Sequence, residues 1–168
     1  MSDEALSRNT VAFIGLANEY CQAIENCAGE ERATFVEQML KLLPRLYISI
    51  TDSPVAYEFS DTVGDHLAEE QYTHTRNTLA ALMGEEDTYL ETFEEDMKYS
   101  DTPIAASVSE NLADIYQDLY NFMVTVRESE GALSQQAIAD CRYNFELYWS
   151  RALCNVLRAL NNIRYSRL

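Results

Sequence analysis

The sequence predicts an all-α fold, an antiparallel bundle of about five long helices with one ordered acidic loop, on three observations. Apolar residues recur at the 3.6-residue helical period over most of the chain. Only five Gly and three Pro interrupt 168 positions, too few breakers for a turn-rich sandwich or barrel. A chain of this length can bury a core without disulfides or a metal, so residues 1–168 read as a single helical-bundle domain.

The first helix is expected over residues 4–27, where Phe13, Ile14, Ala17, Tyr20, Cys21 and Ile24 share a face, with Gly29 as its stop. A second begins near residue 30 on a stripe of Phe35, Val36, Met39, Leu40, Leu43, Leu46 and Tyr47. Pro44 removes a backbone donor from that helix and predicts a kink or an early end. Residues 51–64 lack periodicity and read as a connection. Asp65 is placed to cap a third helix over residues 66–83, whose stripe of Leu67, Tyr72, Thr75, Leu79 and Leu82 is thinner, and Gly84 ends it. Ser107, Val108, Ser109 and Glu110 spell a capping box. The fourth helix it opens carries Leu112, Ile115, Tyr116, Leu119, Phe122, Met123 and Val126 on one side. Ser134 starts the last helix, on a stripe of Ile138, Cys141, Phe145, Tyr148, Trp149, Ala152, Val156, Leu160 and Ile163. One-sided stripes on five helices can be hidden from water only against one another.

Charge bounds the partners. The chain carries 28 acids against 12 bases, a net −16, so its bulk surface repels phosphate and anionic lipid. The last 28 residues run the other way, with Arg142, Arg151, Arg158, Arg164 and Arg167 against Glu146 alone. Nucleic-acid binding through those arginines would have to overcome the field of the acidic remainder, so no direct nucleic-acid contact is expected. No basic leader precedes an apolar core, and no run of about 18 apolar residues occurs. The expectation is a cytoplasmic protein with no membrane contact. Cys21, Cys27, Cys141 and Cys154 show no C-x-x-C spacing and fall in apolar helical patterns, which predicts buried, reduced thiols.

Few residues carry a chemical signature. His66, Glu70 and His74 repeat at i, i+4, i+8 and would line one helix face, but that face lies away from the apolar stripe and reads as solvated. No nucleophile elbow, phosphate loop, dinucleotide fingerprint or zinc-protease motif occurs, and no cofactor or metal is expected. Asp114 and Asp118 on the fourth helix and Arg142 and Glu146 on the last form a candidate inter-helix polar site, with an Asp118–Arg142 ion pair as its expected link. It supports the alternative function, a carboxylate- or metal-dependent enzyme or small-ligand binder. The leading expectation is a non-enzymatic module that binds a protein partner. Residues 85–101 hold eight acids and one base interleaved with aromatic residues, which makes Tyr89, Phe93, Glu94, Glu95 and Tyr99 the candidate interaction surface. Tyr57 and Phe59, in the other irregular segment, are also free to meet a partner.

The run Ser-Val-Ser-Glu-Asn-Leu-Ala-Asp-Ile-Tyr-Gln-Asp-Leu over residues 107–119, then Arg-Tyr-Asn-Phe-Glu-Leu-Tyr-Trp over 142–149 and Ala159-Leu160, resembles a bacterial family known only as domain of unknown function 5063. The Leu-Pro-Arg-Leu-Tyr segment at 43–47 is similar to it as well. The resemblance implies a small cytoplasmic helical protein with no assigned activity, in an accessory role beside a DNA-repair or nuclease enzyme. Family members often place a histidine near position 149, where this chain has Leu147 and Tyr148, so the resemblance does not strengthen a metal-site reading.

Overall fold

The structure, a computed structural model, describes residues 6–91 and 104–166. Helices α1 (Arg8–Glu25), α2 (Arg32–Asp52), α3 (Glu69–Met83) and α4 (Val108–Glu128) are followed by α5 (Ser134–Asn144) and α6 (Ser150–Tyr165). A π-helical turn, Phe145–Trp149, joins α5 to α6 in one continuous rod. Strands β1 (Thr88–Glu91) and β2 (Ile104–Ser107) pair antiparallel between α3 and α4.

Four helices close a ring, α1 on α2, α2 on α6, α6 on α4 and α4 back on α1. Their apolar faces meet in one core around Phe13, Tyr20, Phe35, Met39, Phe122 and Trp149, all essentially without solvent contact. Helix α3 lies against α4 from outside with only Leu79 and Met83 fully buried, as its thin stripe predicts. Tyr20, fully buried in this core, donates its phenol to the Leu112 carbonyl at 2.7 Å, which offsets the cost of burying its hydroxyl.

Local chemistry moves several boundaries. Ser7 accepts from the Thr10 N–H at 3.0 Å, so α1 begins at Arg8 rather than at residue 4. Helix α2 neither ends nor breaks at Pro44 but runs eight residues further to Asp52, because Leu42, Leu43, Leu46 and Ile50 keep its apolar face buried past the lost hydrogen bond. Helix α3 starts at Glu69, three residues later than expected, and Asp65 does not cap it. Instead Gln71 Oε1 accepts from Ala68 N at 3.2 Å, half of a capping box that alanine cannot complete. The acidic segment, expected as an ordered loop, opens with a 3₁₀ turn, Gly84–Glu86, and strand β1, which pairs with β2 just ahead of α4. Asp87 ties that segment to α4: its carbonyl accepts from Val108 N, and its carboxylate accepts from Ser109 N and Ser109 Oγ, each at 2.8 Å. Ser107 Oγ takes the Glu110 N–H at 3.0 Å, so three successive N-terminal donors of α4 are satisfied, and the carboxylate complements the helix dipole.

The connection over residues 53–68 has no regular structure, yet it is fastened at two points. Asp140 of α5 is completely buried and accepts from Ser60 N at 3.1 Å, Thr62 N at 2.7 Å and Val63 N at 3.2 Å. Asp61 adopts a left-handed φ of 54° between those donors, which turns successive N–H groups toward one anion. Gln136 Nε2 adds a bond to Asp140 at 3.0 Å and another to the Glu58 carbonyl at 2.8 Å. Asn121 of α4 accepts from His66 N and Leu67 N at 2.9 and 3.0 Å. Truncating Asp140 strands three donors, so Asp140→Ala should lower unfolding free energy by about 4 kcal/mol. Urea unfolding monitored by far-UV circular dichroism reads this directly, with Asp140→Asn falling between the two because one amide oxygen can retain part of the set.

Candidate protein-interaction surface

The four residues of the expected inter-helix site do not converge. Arg142 turns to the end of α2, donating to the carbonyls of Ile50 and Thr51 at 3.1 and 3.2 Å, and its Nε binds Glu146 at 3.2 Å along its own helix. The expected Asp118–Arg142 pair is therefore replaced by a link from the rod to the C-terminal dipole of α2. Asp114, at the solvent edge of α4, accepts from the Tyr72 hydroxyl at 2.5 Å. Burial pushes the Asp114 carboxyl up against the opposing pull of that bond, with Glu110 adding to the rise. Asp118 is half-buried, and burial pushes its carboxyl up to about 7, with Asp114 and Asp65 raising it further.

His66, Glu70 and His74 are not in line either, because His66 precedes α3 and sets its Nε2 3.3 Å from Thr125 Oγ1. Among the described residues no group of three or more His, Cys, Asp or Glu side chains is placed to hold a metal ion. Of the loop candidates, Tyr89 lies in β1, half-buried against the core, and its hydroxyl donates to Asn111 Oδ1. Phe93, Glu94, Glu95 and Tyr99 lie outside the described residues. All four cysteines are free, and three are buried as expected. Cys154 is the exception: it sits on the flank of α6 facing β1, exposed to solvent.

The π turn holds Tyr148, which sequence periodicity misplaced. The Ser150 N–H bonds the Phe145 carbonyl five residues back, inserting one residue per turn. The apolar stripe runs from Phe145 through Trp149, as expected, to Leu153, with Ala152 half-buried against the core, and leaves Tyr148 outside it. Both rings at the ends of the turn are locked inward. Phe145 meets Trp149 edge-on at 4.5 Å and Tyr47 of α2 at 5.1 Å, and the Trp149 indole donates to the Cys141 carbonyl at 3.2 Å. Glu146, Leu147 and Tyr148 are thereby presented consecutively to solvent, Leu147 at 41% and Tyr148 at 65% exposure. One helical turn earlier, exposed Tyr143 stacks on Phe59 of the 53–68 connection, ring centroids 4.3 Å apart. Tyr47, Phe59, Tyr143, Leu147 and Tyr148, four aromatic residues and a leucine, are thus exposed on the π turn or beside it, and together they form the candidate aromatic ridge.

The sequence profile of a family described as "Domain of unknown function (DUF5063)" matches residues 4–166, nearly the whole chain. The chain belongs to that family. The Phe-x-x-x-Trp spacing that carries part of the likeness is the π turn itself, Phe145 to Trp149. A solved structure, "Crystal Structure of protein BF1032 from Bacteroides fragilis" from the Northeast Structural Genomics Consortium, is similar at a TM-score of 0.81 and 32% identity over 95% of this chain and 97% of that one. No curated protein matches the chain. Among the described residues no helix is long and apolar enough to cross a membrane.

The Asp118 carboxyl gives this face a pH signature. Its folded value of about 7 stands above the ordinary carboxylate value, so the folded protein holds the extra proton and its contribution to stability is complete below about pH 4. That contribution is lost as pH rises through 7. Asp118→Asn should stabilise the protein at pH 8 by on the order of 2 kcal/mol, after allowance for residual contact with water, and have little effect at pH 4. Melting curves at the two pH values check the sign.

Proposed function

We propose that the protein is a protein-interaction module whose docking surface is the aromatic ridge around the π turn. The observation that carries this reading is the combination of large exposed rings with a locked foundation. Tyr47 packed edge-on against buried Phe145 and Tyr143 stacked on Phe59 lose little freedom when a partner covers them, and aromatic residues of this kind supply most interface energy. π turns inside α-helices also recur at functional sites. The net charge of −16 supports a steering role for the rest of the surface, which accelerates encounter with a basic partner without holding it.

The test uses tagged protein in lysate of its own host. Tyr148→Ser with Leu147→Ser should abolish retention of a partner that wild type captures, while Tyr165→Ser, equally exposed near the end of α6, should retain it. Both side chains of the double variant are solvent-facing, so its melting temperature should stay within about 2 °C of wild type. A folded double variant that captures the same protein as wild type overturns the reading.

A further inference from the structure

A second surface, independent of the ridge, is the free edge of the two-stranded sheet. The register pairs Thr88 with Ser107, Tyr89 with Ala106 and Leu90 with Ala105, and the Val108 N–H bonds the Asp87 carbonyl at 2.8 Å. Bonded and non-bonded pairs alternate along an antiparallel ladder, so that bond fixes the phase. The Asp87 carbonyl and the backbone groups of Tyr89 point toward β2, whereas Thr88 and Leu90 direct their N–H and carbonyl groups away from it. Beside β1 lies an open groove of about 560 Å³, bordered by Thr88, Tyr89 and Leu90 on one side and by Ala159, Asn162 and Ile163 of α6 on the other. Side chains alternate across a strand, so three consecutive residues on one groove mark it as running along the strand's edge rather than over one face.

This edge is chemically unfinished. Thr88 and Leu90 each present one N–H and one carbonyl, and among the described residues none of these groups takes a hydrogen bond. Leu90 is also 61% exposed, an apolar side chain with nothing laid against most of it among the described residues. Outward strand groups beside an exposed apolar side chain are what an added strand satisfies, with main-chain bonds supplying affinity and side-chain neighbours supplying selectivity. Charge decides which strand. The groove lining is itself balanced, Glu86 against Arg158, but Glu85, Glu86, Asp87 and Glu91 follow one another along the edge segment. Pairing with the same edge of a second copy would set acid against acid, whereas a strand with Lys or Arg at its ends has the complementary charge.

We propose that β1 accepts an extended segment of a basic partner protein as a third strand, its backbone bonded to Thr88 and Leu90 and an apolar side chain set beside Leu90. Neighbouring strands lie about 4.8 Å apart, and the groove between β1 and α6 supplies the room for one. An edge of four residues offers only two outward-facing ones, so pairing contributes four main-chain bonds at most and the contact is short-lived. The acids of the segment then serve both ends: they keep two copies of this edge apart and draw a basic strand to it.

The probe is the peptide acetyl-Lys-Val-Thr-Val-Lys-amide, added to the isotope-labelled full chain. The backbone amide NMR signals of Thr88 and Leu90 should shift saturably and exchange with solvent more slowly. The same peptide N-methylated at its three central residues keeps its side chains and charge but loses the pairing donors, and should give no saturable shift. Replacing both of its lysines by glutamate should weaken binding about fivefold or more. Leu90→Pro removes one outward donor while sparing the ladder to β2, and should weaken binding about fivefold. If that variant disrupts the hairpin, the N-methylated peptide decides alone. Equal shifts with the N-methylated peptide overturn the proposal in favour of diffuse attraction to an acidic surface, and equal affinity for the glutamate peptide overturns the basic partner. Absence of saturable shifts at Thr88 and Leu90 overturns it outright.

Discussion

A single buried carboxylate governs how the connection over residues 53–68 is arranged. Asp140 sits with no solvent contact and makes no ion pair among the described residues; three backbone N–H groups and the Gln136 amide balance it instead. Backbone dipoles can stabilise a buried anion only if several converge, and here the left-handed Asp61 makes them converge. The same contact that removes the carboxylate's burial cost fixes the path of residues 58–63. It also places Phe59 against Tyr143, so the outer wall of the aromatic ridge is a consequence of a core interaction. A polar network of this type is costly when half satisfied and specifying when complete, which makes it the point on which the surface geometry depends.

Helix α4 plays the complementary role for the helical part. It touches α1, α3, α5 and α6, and its ends and flanks carry the groups that receive the non-helical segments. Asp87 closes its N-terminus from the strand pair, Asn121 holds the end of the 53–68 connection, and Tyr72 reaches Asp114 from α3. The outer layer of α3 has little apolar surface of its own to bury. Such polar fastenings therefore carry a larger share of its attachment than they do for α1, α2 or α6.

What could be read from the sequence divides along physical lines. The all-helical class, the helix order and most core positions follow from periodicity, which a single chain displays directly, and the cap at Ser107 follows from a local pattern. The missed features depend on partners distant in sequence. Nothing near Asp140 announces that its donors lie about 80 residues upstream, and Arg142 is drawn to α2 carbonyls rather than to Asp118 for the same reason. The π turn is an intermediate case. Both Tyr148 with Ala152 and Trp149 with Leu153 fit an apolar stripe, and that ambiguity was a signal of a register change within the last helix, although spacing alone could not say which pair would be buried. Tyr57 and Phe59 were legible as exposed aromatics because they fall where no helical stripe could hide them.

The charge distribution and the ridge do different work, and their separation is itself informative. Acids dominate the first 140 residues, whereas the rod that bears the π turn carries the excess of arginine. A ridge placed in the middle of the acidic field would repel any acidic partner and attract basic proteins indiscriminately. Set on the less acidic rod, Tyr143, Leu147 and Tyr148 can engage apolar surface without committing every contact to charge. On the proposed reading, specificity rests on the positions of a few rings, which are set by Phe145 beneath Tyr47 and from the side by the connection that Asp140 holds. The buried anion, the π turn and the exposed rings are therefore linked steps, in which backbone geometry fixes where the exposed rings stand.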